Sequence, residues 1–175
     1  ALFWKYVLTA GRLFEEYAEF TESYLEIKAR SSSLSDTDRD RLLRSLDFLQ
    51  SELEDISQFR DLDFKRYSED SSLRRNVERW IENLVNASID IAKVLVSSEK
   101  QPIPQTYRET ILRLQTVSGF DNESIDSLSR NVRLRNILAH EYLDIRYKHI
   151  LLFIQNASNE YRHLIDAARE FLSNP

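Results

Sequence analysis

Apolar residues recur three and four positions apart along nearly the whole chain, the spacing that lines one side of an α-helix. The pattern begins with Phe3, Val7, Ala10, Phe14, Tyr17, Thr21 and Tyr24, and Leu13, Phe20 and Ile27 widen the stripe. It predicts an amphipathic helix over about residues 2–30, weakly interrupted at Gly11. A β-rich or doubly wound fold would need glycine at its tight turns, and the 175 residues include two. The fold class expected is all-α, an antiparallel helical bundle with an additional helix at its beginning.

The polar run Ser31-Ser32-Ser33-Leu34-Ser35-Asp36 has no period and marks a boundary. It separates a helical extension over residues 1–33, expected to pack on the bundle, from a main domain over residues 34–175. Ser35 or Asp36 is the expected cap of the next helix, whose inner face is Leu42, Leu46, Leu49, Leu53 and Ile56. A charged connector, Arg60–Asp70, leads to a long helix with Leu73, Val77, Trp80, Leu84, Ala87, Ile91 and Val94 inward. That helix stops before Gln101-Pro102-Ile103-Pro104, because proline lacks a donor and biases its predecessor away from helix. A short helix over about Thr106–Val117 ends at Ser118-Gly119. Asp121 or Asn122 caps the next, and Asp144 is expected to cap a last helix carrying Ile150, Ile154, Ala157, Tyr161, Leu164, Ile165, Ala168 and Leu172.

Composition removes several chemistries. Without Cys there is no disulfide, thiolate metal site or cysteine nucleophile, a composition that fits the cytoplasm. Two glycines cannot build a Walker loop or a dinucleotide fingerprint. No run approaches the ~20 apolar residues of a membrane span, and Leu2–Ala10 lacks the basic start and cleavage site of a signal peptide. His149 and His163, on one helix, lie ~21 Å apart at 1.5 Å per residue, too far to share a metal. No metal and no cofactor are expected. A net charge of −5 argues against coating nucleic acid broadly and leaves room for a local cationic site.

Such a site stands at Ser129-Arg130-Asn131-Val132-Arg133-Leu134-Arg135-Asn136-Ile137-Leu138-Ala139-His140-Glu141-Tyr142, which holds three arginines and no acid before Glu141. On a helix Asn136 and His140 share a face, and so do Arg135 and Tyr142. Arg135 and His140 differ by ~140° around the axis. A second copy of the helix, a bend, or the length of the arginine would be needed to bring both to one phosphate. An imidazole and a guanidinium suit RNA cleavage without metal. The first moves protons near neutral pH, and the second holds a phosphate and stabilises its developing charge. The competing reading is structural: the arginines form surface ion pairs, and His140 and Tyr142 cover a helix end. Asp90, mid-helix among apolar neighbours, more simply pairs with Lys93 than acts in chemistry, and Trp80 reads as core.

Arg135-Asn136-Ile137-Leu138-Ala139-His140-Glu141-Tyr142 resembles the Arg-x-x-x-x-His-x-Tyr signature of HepT-like HEPN ribonuclease toxins. Ser88-Ile89-Asp90-Ile91-Ala92-Lys93 and the later Pro104, Tyr107, Arg108 and Glu109 resemble that family's flanking segments, in the same order. The similarity covers roughly residues 36–172, and the first thirty residues match nothing in the shorter members. The resemblance implies a HEPN-like bundle that forms a homodimer, and a metal-independent endoribonuclease acting as the toxin of a toxin–antitoxin pair. It implies Arg135 as phosphate ligand, His140 as acid/base and Asn136 as an assisting polar group. It also implies a cognate MNT-type nucleotidyltransferase antitoxin that transfers AMP to Tyr142. Apart from the resemblance, Arg130 and Arg133 are candidate RNA-backbone contacts, against the commoner case of surface arginines without a role.

Two alternatives keep other parts of the sequence in view. A non-catalytic HEPN-type module would use the same cleft to bind a nucleotidyltransferase or a nucleotide, as the acidic composition allows. A structural helical protein would use Phe3–Ile27 against another chain, although that many aromatics more simply complete a core.

Overall fold

The computed structural model describes residues 34–173. The helix expected over residues 2–30, and the packing expected of residues 1–33 on the bundle, lie outside the described residues. Among the described residues six α-helices follow one another: α1 (Asp36–Glu54), α2 (Phe64–Glu69), α3 (Ser71–Ser98), α4 (Tyr107–Leu112), α5 (Asn122–His140) and α6 (Leu143–Ser173). Single 3₁₀ turns extend α1 through Asp55–Phe59 and α4 through Arg113–Thr116. Among the described residues there is no strand.

Helix α3 is the centre. Asp70 starts it by accepting from the amides of Ser72 and Leu73, both at 2.9 Å, which satisfies two donors that the first turn cannot pair internally. From Trp80 onward the helix is buried around most of its circumference, with Ile81, Val85, Ile89 and Leu95 joining the expected inward stripe. The reason is that α1, α2, α4, α5 and α6 all pack against it. Trp80 shows how the layers meet. Its ring lies 5.1 Å from Phe59 and 5.6 Å from Phe153, and its indole Nε1 donates to the Glu52 carbonyl at 2.7 Å. A buried indole with its N–H satisfied contributes apolar area without an orphaned donor.

Helices α1 and α3, α1 and α6, and α5 and α6 run antiparallel, whereas α3 and α6 run parallel, Glu78 meeting Arg146 and Trp80 meeting Phe153. Glu52 meets Trp80 and Asn83 across α1 and α3, Arg39 reaches the Leu172 carbonyl across α1 and α6, and Asn131 meets Glu160 across α5 and α6.

Three boundaries differ from the sequence expectation. The charged connector Arg60–Asp70 contains α2, capped by Asp63 accepting from the Arg66 amide at 2.7 Å. Tyr67 explains why so short a helix persists: its side chain is fully buried, and its ring lies 5.7 Å from that of Tyr147. The helix expected through Val117 is α-helical only to Leu112 and finishes as a 3₁₀ turn before Gly119, whose φ of 91° suits a residue without Cβ. The last helix begins at Leu143, so Asp144 lies in its first turn rather than at its cap.

Asp121 caps α5. Ser124 contacts hold its carboxyl below the usual range, first the hydroxyl and then the amide at 2.8 Å. Asp70 is held low by the Leu73 and then the Ser72 amide. A carboxylate whose folded pKa is depressed stabilises the fold above its unfolded value, ~3.9, and loses that contribution as pH falls through the lower folded value. Urea unfolding across pH 2–6 should therefore show an acid limb that is shallower in Asp70→Asn and Asp121→Asn. Both variants keep a capping oxygen without a titrating group. An unchanged limb would show that the two caps carry no pH dependence.

Candidate functional site

The residues singled out in the sequence lie on the second half of α5 and the corner after it. His140 is the last residue of α5, Glu141 is its cap, and Tyr142 is the sole remaining residue before α6. The corner is held by one arginine from the first turn of α6. Arg146 donates through Nε to the Glu141 carbonyl at 2.7 Å and through Nη1 to Glu78 of α3 at 3.4 Å. Glu78 also accepts from the Tyr67 hydroxyl at 2.6 Å, and burial, with this carboxylate beside it, pushes the Tyr67 phenol well above its ordinary range. The two-residue corner is thus tied to the central helix by groups that are mostly shielded from water.

Around α5 the candidate side chains point in different directions, as 100° per residue requires. Arg135 is half-buried and faces α4, its guanidinium carbon 5.4 Å from the centre of the Tyr107 ring. Lys93 of α3 approaches the same ring at 5.2 Å while pairing with Asp90 at 3.1 Å, so Asp90 has the ion-pair role expected of it. A groove of about 510 Å³ opens there, lined by Thr106, Tyr107, Arg108, Arg133, Arg135 and Asn136 with Glu82, Val132 and Ala139.

On the other flank of α5 lies a groove of about 740 Å³ against α6. Leu134, Ile137, Leu152 and Phe153 give it an apolar floor, and Arg130, Arg133, Asn136 and His149 add polar groups. Asn136 and Arg133 border both grooves and form the ridge between them.

His140 lines neither groove. It is exposed at the helix end, beside a Tyr142 that is 81% exposed. The structural alternative for these two residues therefore describes their place correctly, since they do close a helix end. It fails for the arginines: Arg130, Arg133 and Arg135 form no ion pair among the described residues. Arg130 donates to Ser127 at 2.6 Å and is otherwise exposed. His149 and His163 are both exposed on α6, and no group of three potential metal ligands occurs among the described residues. No helix among them is long and apolar enough to cross a membrane.

Tyr107, Lys93, Glu78 and Arg146 belong to the site's surroundings but were not singled out as its parts from sequence. Tyr107 was legible only as part of a flanking segment, and nothing in local spacing joins it to Arg135, twenty-eight positions later.

A family model described as "Ribonuclease HepT-like" matches residues 49–168, which takes in α3, α4, the whole Arg135–Tyr142 segment and most of α6. The chain belongs to the HepT-like ribonucleases. A relative from Shewanella oneidensis (strain MR-1), named mRNA nuclease HepT, is 24% identical over 107 residues, 61% of this chain and 80% of that protein. Among solved structures, the tri-AMPylated Shewanella oneidensis HEPN toxin in complex with MNT antitoxin matches with a TM-score of 0.65 and 22% identity, over 75% of this chain and 98% of that one. A toxin–antitoxin structure with AMP-PNP matches with a TM-score of 0.64 and 22% identity, over 74% and 98%. The HEPN-like, all-α architecture of this HepT-like chain is thereby established.

Within that architecture the Arg146 tether determines where the His140–Tyr142 corner sits. Arg146→Ala should cost about 1–3 kcal/mol, because Glu78 loses a donor in a shielded setting and the exposed Glu141 carbonyl loses its tie to α3. Amide exchange at Glu141 and at position 146, whose amides donate to Ile137 and Tyr142, should accelerate more than exchange in mid-α3. Urea unfolding and residue-resolved hydrogen exchange measure the two effects, and unchanged exchange at the corner would show that α5 and α6 hold it without Arg146.

Proposed function

We infer that this chain is a metal-independent endoribonuclease toxin that cleaves RNA by acid/base chemistry with Arg135 and His140. The observation that carries the reading is Arg135 itself, a half-buried guanidinium with no carboxylate partner among the described residues, five residues before an exposed imidazole in a HepT-like ribonuclease. Arginine held this way has its fork available for a phosphate, the ligand it matches bidentately.

In the reaction, an imidazole of His140 takes the proton of a ribose 2′-hydroxyl, whose oxygen attacks the adjacent phosphorus. The phosphorus–O5′ bond breaks, and a second proton goes to the leaving oxygen. The products are a 2′,3′-cyclic phosphate and a 5′-hydroxyl. Arg135 neutralises charge on the non-bridging oxygens as they gain it, and Asn136, on the ridge between the grooves, orients the substrate. Arg130 and Arg133 contact the RNA backbone on either side.

One copy directs Arg135 and His140 ~140° apart. A two-fold homodimer brings the arginine and the histidine of both copies to one cleft and supplies one imidazole for each proton transfer. The site of action is the cytoplasm, and sedimentation of the purified chain should give twice its 20.7 kDa.

Purified protein should cut total RNA in the presence of EDTA. Arg135→Ala and His140→Ala should each lower the rate by about 10²–10⁴-fold, followed by gel or by release of cyclic-phosphate ends. A variant as active as the parent would remove its residue from the site.

The exposed phenol of Tyr142 supports the second half of the reading, inactivation by an MNT-type antitoxin. Its oxygen attacks the α-phosphorus of ATP, pyrophosphate leaves, and AMP remains bound beside the phosphate site. The new negative charge and bulk oppose RNA there. Labelled ATP with such a nucleotidyltransferase should mark the chain and abolish cleavage, while Tyr142→Phe should take up less label and stay active in the presence of the antitoxin. Full labelling of Tyr142→Phe would place the modification elsewhere.

A further inference from the structure

The groove over Tyr107 gathers more positive charge than its own acids neutralise. Asp90 offsets Lys93, and Glu82, the one acid among the described lining residues, is paired with Arg79 at 3.3 Å. Arg108, Arg133 and Arg135 have no such partner among the described residues. At the centre is an aromatic ring that is 49% exposed, approached by an ammonium at 5.2 Å and a guanidinium at 5.4 Å. Each cation is attracted to the ring, and each repels the other. A ligand that brings both an anion and a flat apolar face would relieve that repulsion and still use the ring.

We propose that this groove seats one nucleotide of a single-stranded RNA, with Tyr107 stacking on the base and Arg108 and Arg133 holding the phosphates that flank it. The assignment rests on the ribonuclease reading and narrows its substrate to unpaired RNA. A bidentate phosphate contact is stronger than a cation–π contact at an exposed ring. An arriving phosphate therefore draws Arg135 off Tyr107 and clears the ring face for the base. The volume, about 510 Å³, falls in the ~300–1,000 Å³ range of small-ligand sites. Unpaired bases have faces to offer an aromatic platform, whereas a duplex keeps its base faces stacked inside and presents phosphates and 2′-hydroxyls.

The test uses the full chain and a fluorescent 2′-fluoro RNA decamer, which lacks the attacking hydroxyl and so reports binding whether or not the protein is a nuclease. Tyr107→Ala should weaken binding about tenfold, as loss of one base–aromatic stack does, and Tyr107→Trp should keep it within about twofold. The same tenfold loss should appear when Tyr107→Ala is added to Arg135→Ala. If the loss vanishes in that background, Tyr107 only positions Arg135 and the base subsite is refuted. Equal loss on a duplex of the same length would also refute it, since no base face is then involved.

An abasic decamer on the unaltered protein needs no folded variant. It should bind about tenfold more weakly than the base-bearing one, and equal binding overturns the proposal. Cleavage of ordinary RNA, assayed alongside, judges the ribonuclease reading separately: no cleavage with Tyr107-dependent binding sinks that reading alone, and cleavage with Tyr107-independent binding sinks the subsite alone.

Discussion

A helix buried around most of its circumference has to be enclosed by the rest of its domain, and α3 imposes that condition here. Its exposed polar residues lie mainly in the first two turns, before Trp80, and beyond that point even Ser88 is covered. Ser88 turns its hydroxyl back to the Val85 carbonyl at 2.7 Å, which removes the cost of burying an unpaired donor. Packing helices along several sides of α3 fixes α4 and α5 as neighbours of one another. The groove containing Tyr107 and Arg135 is the space left where those two meet.

How far such a site can be read from residues alone depends on the range of the interactions. The Ser35 and Asp121 caps and the Asp90–Lys93 pair are contacts within a few positions, and the stripes on α1 and α6 and the core place of Trp80 follow a local period, so capping chemistry or periodicity exposes them. Helix α2 was missed because six residues carry too little period, and its stability comes from the burial of Tyr67 among distant groups. The full burial of α3 was underestimated because a period describes one stripe and says nothing of how many neighbours arrive. Arg146 and Glu78 stand sixty-eight positions apart, and no local rule joins them. The signature residues were legible through family likeness, whereas their divergence around α5 followed from helix geometry.

The corner between α5 and α6 combines exposure with restraint. Tyr142 is almost wholly exposed, as a side chain must be if another protein is to modify it, yet its backbone is bounded by two helix ends. The Tyr142 carbonyl accepts from the Arg146 amide at 3.0 Å, and the Glu141 amide donates to Ile137 at the same distance. A side chain that is free on a backbone that is fixed loses less entropy on being held than one in a mobile loop. His140 benefits from the same arrangement, because its Cα belongs to the last turn of a helix whose carbonyl end is tethered through Arg146.

Charge explains how an acidic protein can present a cationic groove. The net charge of −5 belongs to the whole chain, and among the described residues Glu82, Asp90 and Glu78 are paired with Arg79, Lys93 and Arg146. At ordinary ionic strength a charge is felt over about 8–10 Å, so a ligand in the groove experiences its lining and little of the distant acidic surface. Among the described lining residues Arg108, Arg133 and Arg135 outweigh Glu82, which already has a partner. The local sign is positive although the molecular sign is negative. An anion approaching the molecule is therefore unaided by long-range steering, and its affinity for the groove depends on close contacts, which opposes indiscriminate coating of nucleic acid.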